Sequence, residues 1–262
     1  MQVTLEVCVD SVDSAQAAER GGAQRIELCS DLVEGGVTPS AGLISHIRSS
    51  VSLPVFLMIR PRPGDFCYSP DEFEVMKADV GRAKRLGVDG IVLGILTKNG
   101  DVDVPRTRQL VEIARPLHVT FHRAFDMTRN LFAALDEVIE TGSHRLLTSG
   151  GKARAEDGVP RIARLNQRAR GRITLVAAGG IRQANVRRIL CQSGVAEIHA
   201  NIATRVRSSM RFRNDNISLG SNRNPEYERL VVRETEVRAL LRAASIEDRR
   251  QRPSLRLGRA NL

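Results

Sequence analysis

Four times along this 262-residue chain an apolar-periodic segment stops at glycine and a short strand follows at once. The phrases are Gly21-Gly22-Ala23-Gln24-Arg25-Ile26, Gly87-Val88-Asp89-Gly90-Ile91-Val92, Gly142-Ser143-His144-Arg145-Leu146-Leu147 and Gly194-Val195-Ala196-Glu197-Ile198-His199. Each glycine stands where the end of a helix calls for a left-handed residue. One strand, one helix and their loops need about 30 residues or more, so each interval holds about two strand-helix units. The intervening strands fall where that count requires them. They run from Leu5 to Val9 ahead of a helix opened by Ser11, from Pro54 to Ile59, from Val119 to His122 and from Ile173 to Ala177. Strict alternation with right-handed crossovers leaves an open doubly wound sheet or a closed barrel. Eight regular units in this length predict a single (β/α)8 TIM-type barrel over residues 1–241, followed by a basic tail over 242–262. The stretch from Ala203 to Asn224 reads as a long final loop, and Glu226 to Leu241 as the last helix.

Two near-identical phrases then fill the barrel with chemistry. Leu5-Glu6-Val7-Cys8-Val9-Asp10 and Ile26-Glu27-Leu28-Cys29-Ser30, read as strands of period two, put Glu6, Cys8, Asp10, Glu27 and Cys29 on one face and the aliphatic residues on the other. Neighbouring strands lie about 4.8 Å apart, so Cys8 and Cys29 come close enough to share one small ligand. Closure sets the last strand beside the first and adds Glu197, His199 and Asn201, while the third strand adds Met58, Arg60 and Arg62. Uncompensated charge in such an interior costs several kcal/mol, so these groups must pair or face the mouth. Arg60 is the expected counter-ion of the carboxylates. The loop Pro61 to Pro70, which holds three prolines and a glycine, is expected to wall the mouth.

Composition removes several function classes. With 42% apolar residues the chain is that of an ordinary globular protein. Its four cysteines are too sparse for a disulfide scaffold. A net charge of +10 suggests nucleic acid, but the 36 arginines and 4 lysines are scattered and there is no tryptophan to stack on bases, so none is expected as a partner. Without a signal-like N-terminus or a long apolar run, neither export nor membrane insertion is expected, and the cytoplasm is the expected location. The run Arg249-Arg250-Gln251-Arg252-Pro253 reads as part of a mobile basic end.

Two chemistries compete for the interior. Copper(I) is soft and accepts two thiolates in a near-linear arrangement, which makes two inward cysteines on adjacent parallel strands, Cys8 and Cys29, adequate ligands. His118 and His122 lie four apart, about 13 Å along a strand, and do not make a pair. The bland alternative is that both cysteines are small buried apolar residues. An enzyme of this fold instead works at the carboxyl ends of its strands, where Glu6, Glu27, Arg60, His122, Arg123, Asp126, Ser149 and His199 fall. As a lyase or isomerase it would use Glu6 or Glu27 as base, His122 as acid and Arg60 as clamp on a small phosphorylated or carboxylated metabolite. Gly179, Gly180 and Asn201 would form an anion site. Against this, His122 would serve only to anchor Asp126, and Arg60 with Glu27 would be a structural ion pair.

The segments Glu6 to Ser11, Glu19 to Ala23, Arg25 to Ser30, Glu34-Gly-Gly-Val-Thr-Pro-Ser40, Met58-Ile-Arg-Pro-Arg62, Thr120-Phe-His-Arg-Ala-Phe-Asp126 and Leu147-Thr-Ser-Gly150 together resemble the CutC copper homeostasis family. The resemblance runs from residue 3 to about residue 215, with the motifs in the family's order. It implies a cytoplasmic barrel, usually a homo-oligomer, associated with copper tolerance. It also implies that Cys8 and Cys29 match the cysteines proposed as copper(I) ligands. The turn Val176-Ala-Ala-Gly179-Gly180-Ile181 stands where the family pattern has a Pro-Gly-Gly-Gly type turn.

Overall fold

The computed structural model describes residues 3–214, 216–217, 219 and 226–245. Eight parallel strands close on themselves: β1 (Thr4–Val9), β2 (Arg25–Leu28), β3 (Val55–Met58), β4 (Gly90–Leu93), β5 (His118–Phe121), β6 (Arg145–Thr148), β7 (Thr174–Ala178) and β8 (Glu197–Ala200), with β8 pairing to β1. Outside them run α1 (Val12–Gly21), α2 (Ala41–Ser50), α3 (Pro70–Arg85), α4 (Val104–Ala114), α5 (Leu131–Glu140), α6 (Ala155–Ala169), α7 (Val186–Ser193) and α8 (Glu234–Ala244). The predicted barrel is therefore present.

Local chemistry sets the helix ends. The Ser11 hydroxyl accepts from the Ser14 N–H at the start of α1, and Ser69 and Glu72 form a reciprocal capping box on α3. At the other end of α1 the left-handed residue is Gly22, with φ of 90°. Gly21 is needed for a different reason. Its missing Cβ leaves room for Val237 of α8, which seats the last helix against the first.

The period of two divides the strands as expected. Leu5, Val7 and Val9 face the helices and join the main core, while Cys8, Cys29, Phe56, Met58 and Val92 form a separate cluster inside the barrel. The polar face of the early strands thus points inward. Burial of the aliphatic face contributes roughly 1.5–3 kcal/mol per large side chain, and this holds the polar face in place.

The region after β8 differs from expectation. In place of a loop and one long helix, β9 (Thr204–Arg207) pairs antiparallel with β10 (Glu228–Val231), and α8 starts only at Glu234. Tyr227, Val231 and Val232 suit a strand once a partner is at hand. Arg205 meets Glu228 at 3.2 Å across the pair, and the Val232 N–H donates to Ser14 Oγ. Glu234 and Glu236 sit in the first turn of α8, where acids favour the helix dipole. The helix runs to Ala244, past the expected boundary, and residues 246–262 of the basic tail, including Arg249 to Pro253, lie outside the described residues. No described helix is long and apolar enough to cross a membrane.

Candidate metal centre

The parallel register sets Cys8 opposite Glu27, and the Cys29 N–H donates to the Val9 carbonyl, so the two sulfurs rise side by side. Cys8 Sγ lies 3.8 Å from Cys29 Sγ. Glu27 Oε2 is 3.3 Å from the first sulfur and 3.5 Å from the second. His199 arrives from β8 with Nε2 3.7 Å from that same Glu27 oxygen. One donor atom each of Cys8, Glu27 and His199 falls within 4.8 Å of the others, and Cys29 adds a further sulfur to the group. All four side chains are buried or nearly so.

Beneath this group lies an ionic layer. His199 Nδ1 is 2.7 Å from Glu6 Oε1. The other Glu6 oxygen accepts from Arg25 Nε, and Arg25 Nη2 donates to Glu197 at 2.7 Å. The Arg25 and Arg145 guanidiniums each lie 4.9 Å from the Phe56 ring centre, and the same Glu197 oxygen sits 2.7 Å from the first and 3.3 Å from the second.

The protonation pattern follows from these contacts. Burial opposes ionisation of Glu6, but the His199 hydrogen bond and the Arg25 charge outweigh it and bring the carboxyl down to about 2. For His199, burial disfavours the cation, yet the Glu27 charge and bonds to Cys8 and Glu6 push the imidazole well above its ordinary value. Cys8 is drawn down to about 6, first by the Cys29 hydrogen bond. The same bond drives Cys29 well up. Glu27 is raised chiefly by burial. One thiolate therefore shares the site with a thiol that keeps its proton.

Of the residues singled out in the sequence, Glu6, Cys8, Glu27 and Cys29 are brought together with His199. Arg60 is not their counter-ion. Its Nη1 donates to the carbonyls of Glu34 and Gly36 and its Nη2 to Gly64, because the β3 to α3 loop and the Gly35-Gly36 turn wrap it in backbone oxygen. Arg25 takes the role expected of Arg60. It shares the period-two face of Glu27 and Cys29, and that signal was available in the sequence.

The mouth residues divide. His122 does not anchor Asp126; its Nδ1 accepts from the Ala124 N–H instead. Asp126 is held by Arg123 Nε, the Thr148 and Ser149 hydroxyls and the N–H groups of Ser149 and Gly151, which leaves it a structural hub of the β5 and β6 loops. Burial first, and Arg60 second, lowers His122 to about 3, so the imidazole is neutral. Gly179 and Gly180 have φ of 100° and 69°, and a Cβ on them would meet Arg123 and Arg154 respectively. Asn201 is exposed, with its oxygen accepting from Ala203 N–H. A cavity of about 310 Å³ opens above the sulfur pair, lined by Glu27, Met58, Arg60, Phe66, His122 and His199 among others; Gly179, Gly180 and Asn201 do not line it.

Comparison with known proteins sets this geometry among relatives. The CutC family model matches residues 3–204. A human protein named copper homeostasis protein cutC homolog is 50% identical over 237 residues, covering 90% of this chain and 87% of that protein. A Chromobacterium violaceum protein named family protein CutC is 46% identical over 243 residues, covering 93% and 98%. The crystal structure of the putative copper homeostasis protein CutC from Streptococcus agalactiae superposes with a TM-score of 0.71 at 30% identity, covering 76% of this chain and 98% of that one.

Proposed function

This chain belongs to the CutC family, and from that premise we propose that it is a copper homeostasis protein that takes copper(I) as cargo between Cys8 and Cys29. The observation that carries the reading is the sulfur pair 3.8 Å apart in a buried site. Metal–thiolate bonds of about 2.3 Å would span that separation with a bent angle of roughly 110°, which leaves room for a further ligand. His199 Nε2 supplies it, with Glu27 Oε2 beside both sulfurs. Two sulfurs and an imidazole suit a soft ion. Cys8 already favours the thiolate that such an ion needs.

The remaining residues prepare the ligands. Glu6 holds His199 Nδ1, which orients the ring and keeps Nε2 toward the sulfurs. Arg25 in turn fixes Glu6. Free thiols persist in a reducing compartment, which supports action in the cytoplasm. Exposed Met210 and Phe212 on the arm after β9 support assembly with further copies of the chain.

Anaerobic titration with copper(I) against a competing chelator tests the assignment. The native chain is expected to bind tightly and stoichiometrically, and the Cys8→Ser, Cys29→Ser double variant to lose that binding. Unchanged stoichiometric binding by the double variant would overturn it.

A further inference from the structure

A cavity of about 310 Å³ is far larger than one metal ion needs and reaches the lower end of small-molecule sites. Its walls hold three buried side chains that each carry an atom without a partner, Glu27 Oε1, Arg60 Nε and His122 Nε2, and two of these atoms are nitrogens. Arg60 is 5% exposed, and its Nε has no partner among the described residues. Its other nitrogens reach only backbone carbonyls, and no described carboxylate pairs with it. A buried guanidinium without an anion is costly, and carbonyl dipoles offset only part of that cost. His122 is likewise 5% exposed, with Nε2 unpartnered.

The tautomer of His122 follows from its neighbours. Nδ1 accepts from the Ala124 N–H at 3.2 Å, so the proton of the neutral ring is on Nε2. The ring is therefore a fixed donor. Both groups pack on one aromatic side chain: the Arg60 guanidinium lies 5.1 Å, and the His122 ring 4.9 Å, from the Phe66 ring centre. A cation and a neutral N–H donor thus line the same small space, beside the apolar Met58 and Leu147. Buried donors left unpaired in this way are exceptions that ask for an acceptor.

We propose that this cavity is a binding site for a small organic carboxylate, whose oxygens accept from Arg60 and His122. The inference goes beyond the copper(I) reading and does not require it. Phosphate is the less suitable anion. Barrels of this class hold phosphate on backbone N–H groups after the last two strands. Here Gly179 is covered by Arg123, whose Nη1 would lie 3.1 Å from a Cβ there, and neither glycine reaches the cavity. Two side-chain donors and an apolar wall match a carboxylate on a short carbon chain. The exposed Glu34 on the rim would favour a ligand with few charges.

Calorimetric titration of the copper-free full chain with lactate, butyrate and inorganic phosphate, each alone, tests the proposal. Saturable one-site binding of at least one carboxylate is expected, weaker by about tenfold or more in His122→Phe and in Arg60→Gln. His122→Phe keeps the ring and removes the donor, so it carries the test if Arg60→Gln does not fold, and denaturant unfolding of each variant establishes that. Absence of saturable carboxylate binding up to about 10 mM, equal affinity in a folded His122→Phe variant, or tighter binding of phosphate than of either carboxylate would overturn it. Because copper is left out, the copper(I) assignment can fail while this one stands, and the reverse.

Discussion

His199 Nδ1 and Glu6 Oε1 lie 2.7 Å apart across the seam that closes the barrel, where β8 meets β1. The contact joins residues 193 positions apart and turns a histidine edge toward two sulfurs. A carboxylate behind a ligating imidazole fixes its orientation and raises its basicity.

Glu6→Gln should therefore weaken copper(I) binding by about 10- to 100-fold without touching a sulfur. Chelator competition measures it. An affinity equal to the native value in a folded variant would show that His199 is not a ligand.

Copper(I) uptake should release protons. Cys29 is pushed well up toward the thiol and His199 well up toward the cation in the free protein, whereas ligation needs thiolate and neutral imidazole. Apparent affinity should rise with pH through the neutral range. Titration in buffers of different ionisation enthalpy reads the number released, and a value of zero at neutral pH would contradict the protonation pattern.

Acid should reveal the neutral His122. Its folded value of about 3 lies below the ordinary 6.5, so between these the unfolded chain binds the extra proton and His122 lowers stability as pH falls. Glu27, raised by burial, acts with the opposite sign from its ordinary 4.5 upward, so the native curve alone does not isolate the effect. The difference does. Relative to the native chain, His122→Phe should gain up to roughly 1.4 kcal/mol per pH unit as pH drops below 6.5. Paired urea melts at several pH values measure it, and a pH-independent difference would sink the claim.

Gly94 leaves space for His122. A Cβ there would lie 2.5 Å from His122 Nδ1 and 3.0 Å from the Ala124 Cβ. Gly94→Ala should cost about 1–3 kcal/mol by overpacking and loosen the bond between the imidazole and the Ala124 N–H. Denaturant unfolding gives the first. A shift of the His122 ring resonances gives the second, and a variant as stable as the native chain would refute both.

The barrel was legible because it is written in local periods. Glycines after helices marked the units, and alternation in the first two strands placed Cys8 and Cys29 on one face before any contact was known. The hairpin of β9 and β10 was not legible, since neither strand is stable without the other and 20 residues separate Arg207 from Glu228. The role of Arg25 lay within reach of the same alternation. That of Arg60 did not, because carbonyls of three loop residues, Glu34, Gly36 and Gly64, claim its guanidinium.

By itself, then, the chain order determined which side chains enter the barrel, because a strand's pleat assigns each residue to a face by parity. Only the tertiary structure decided which of them meet. Shear and closure set distances between strands remote in sequence, and a hydrogen bond or metal bond holds only within a few tenths of an ångström of its proper length.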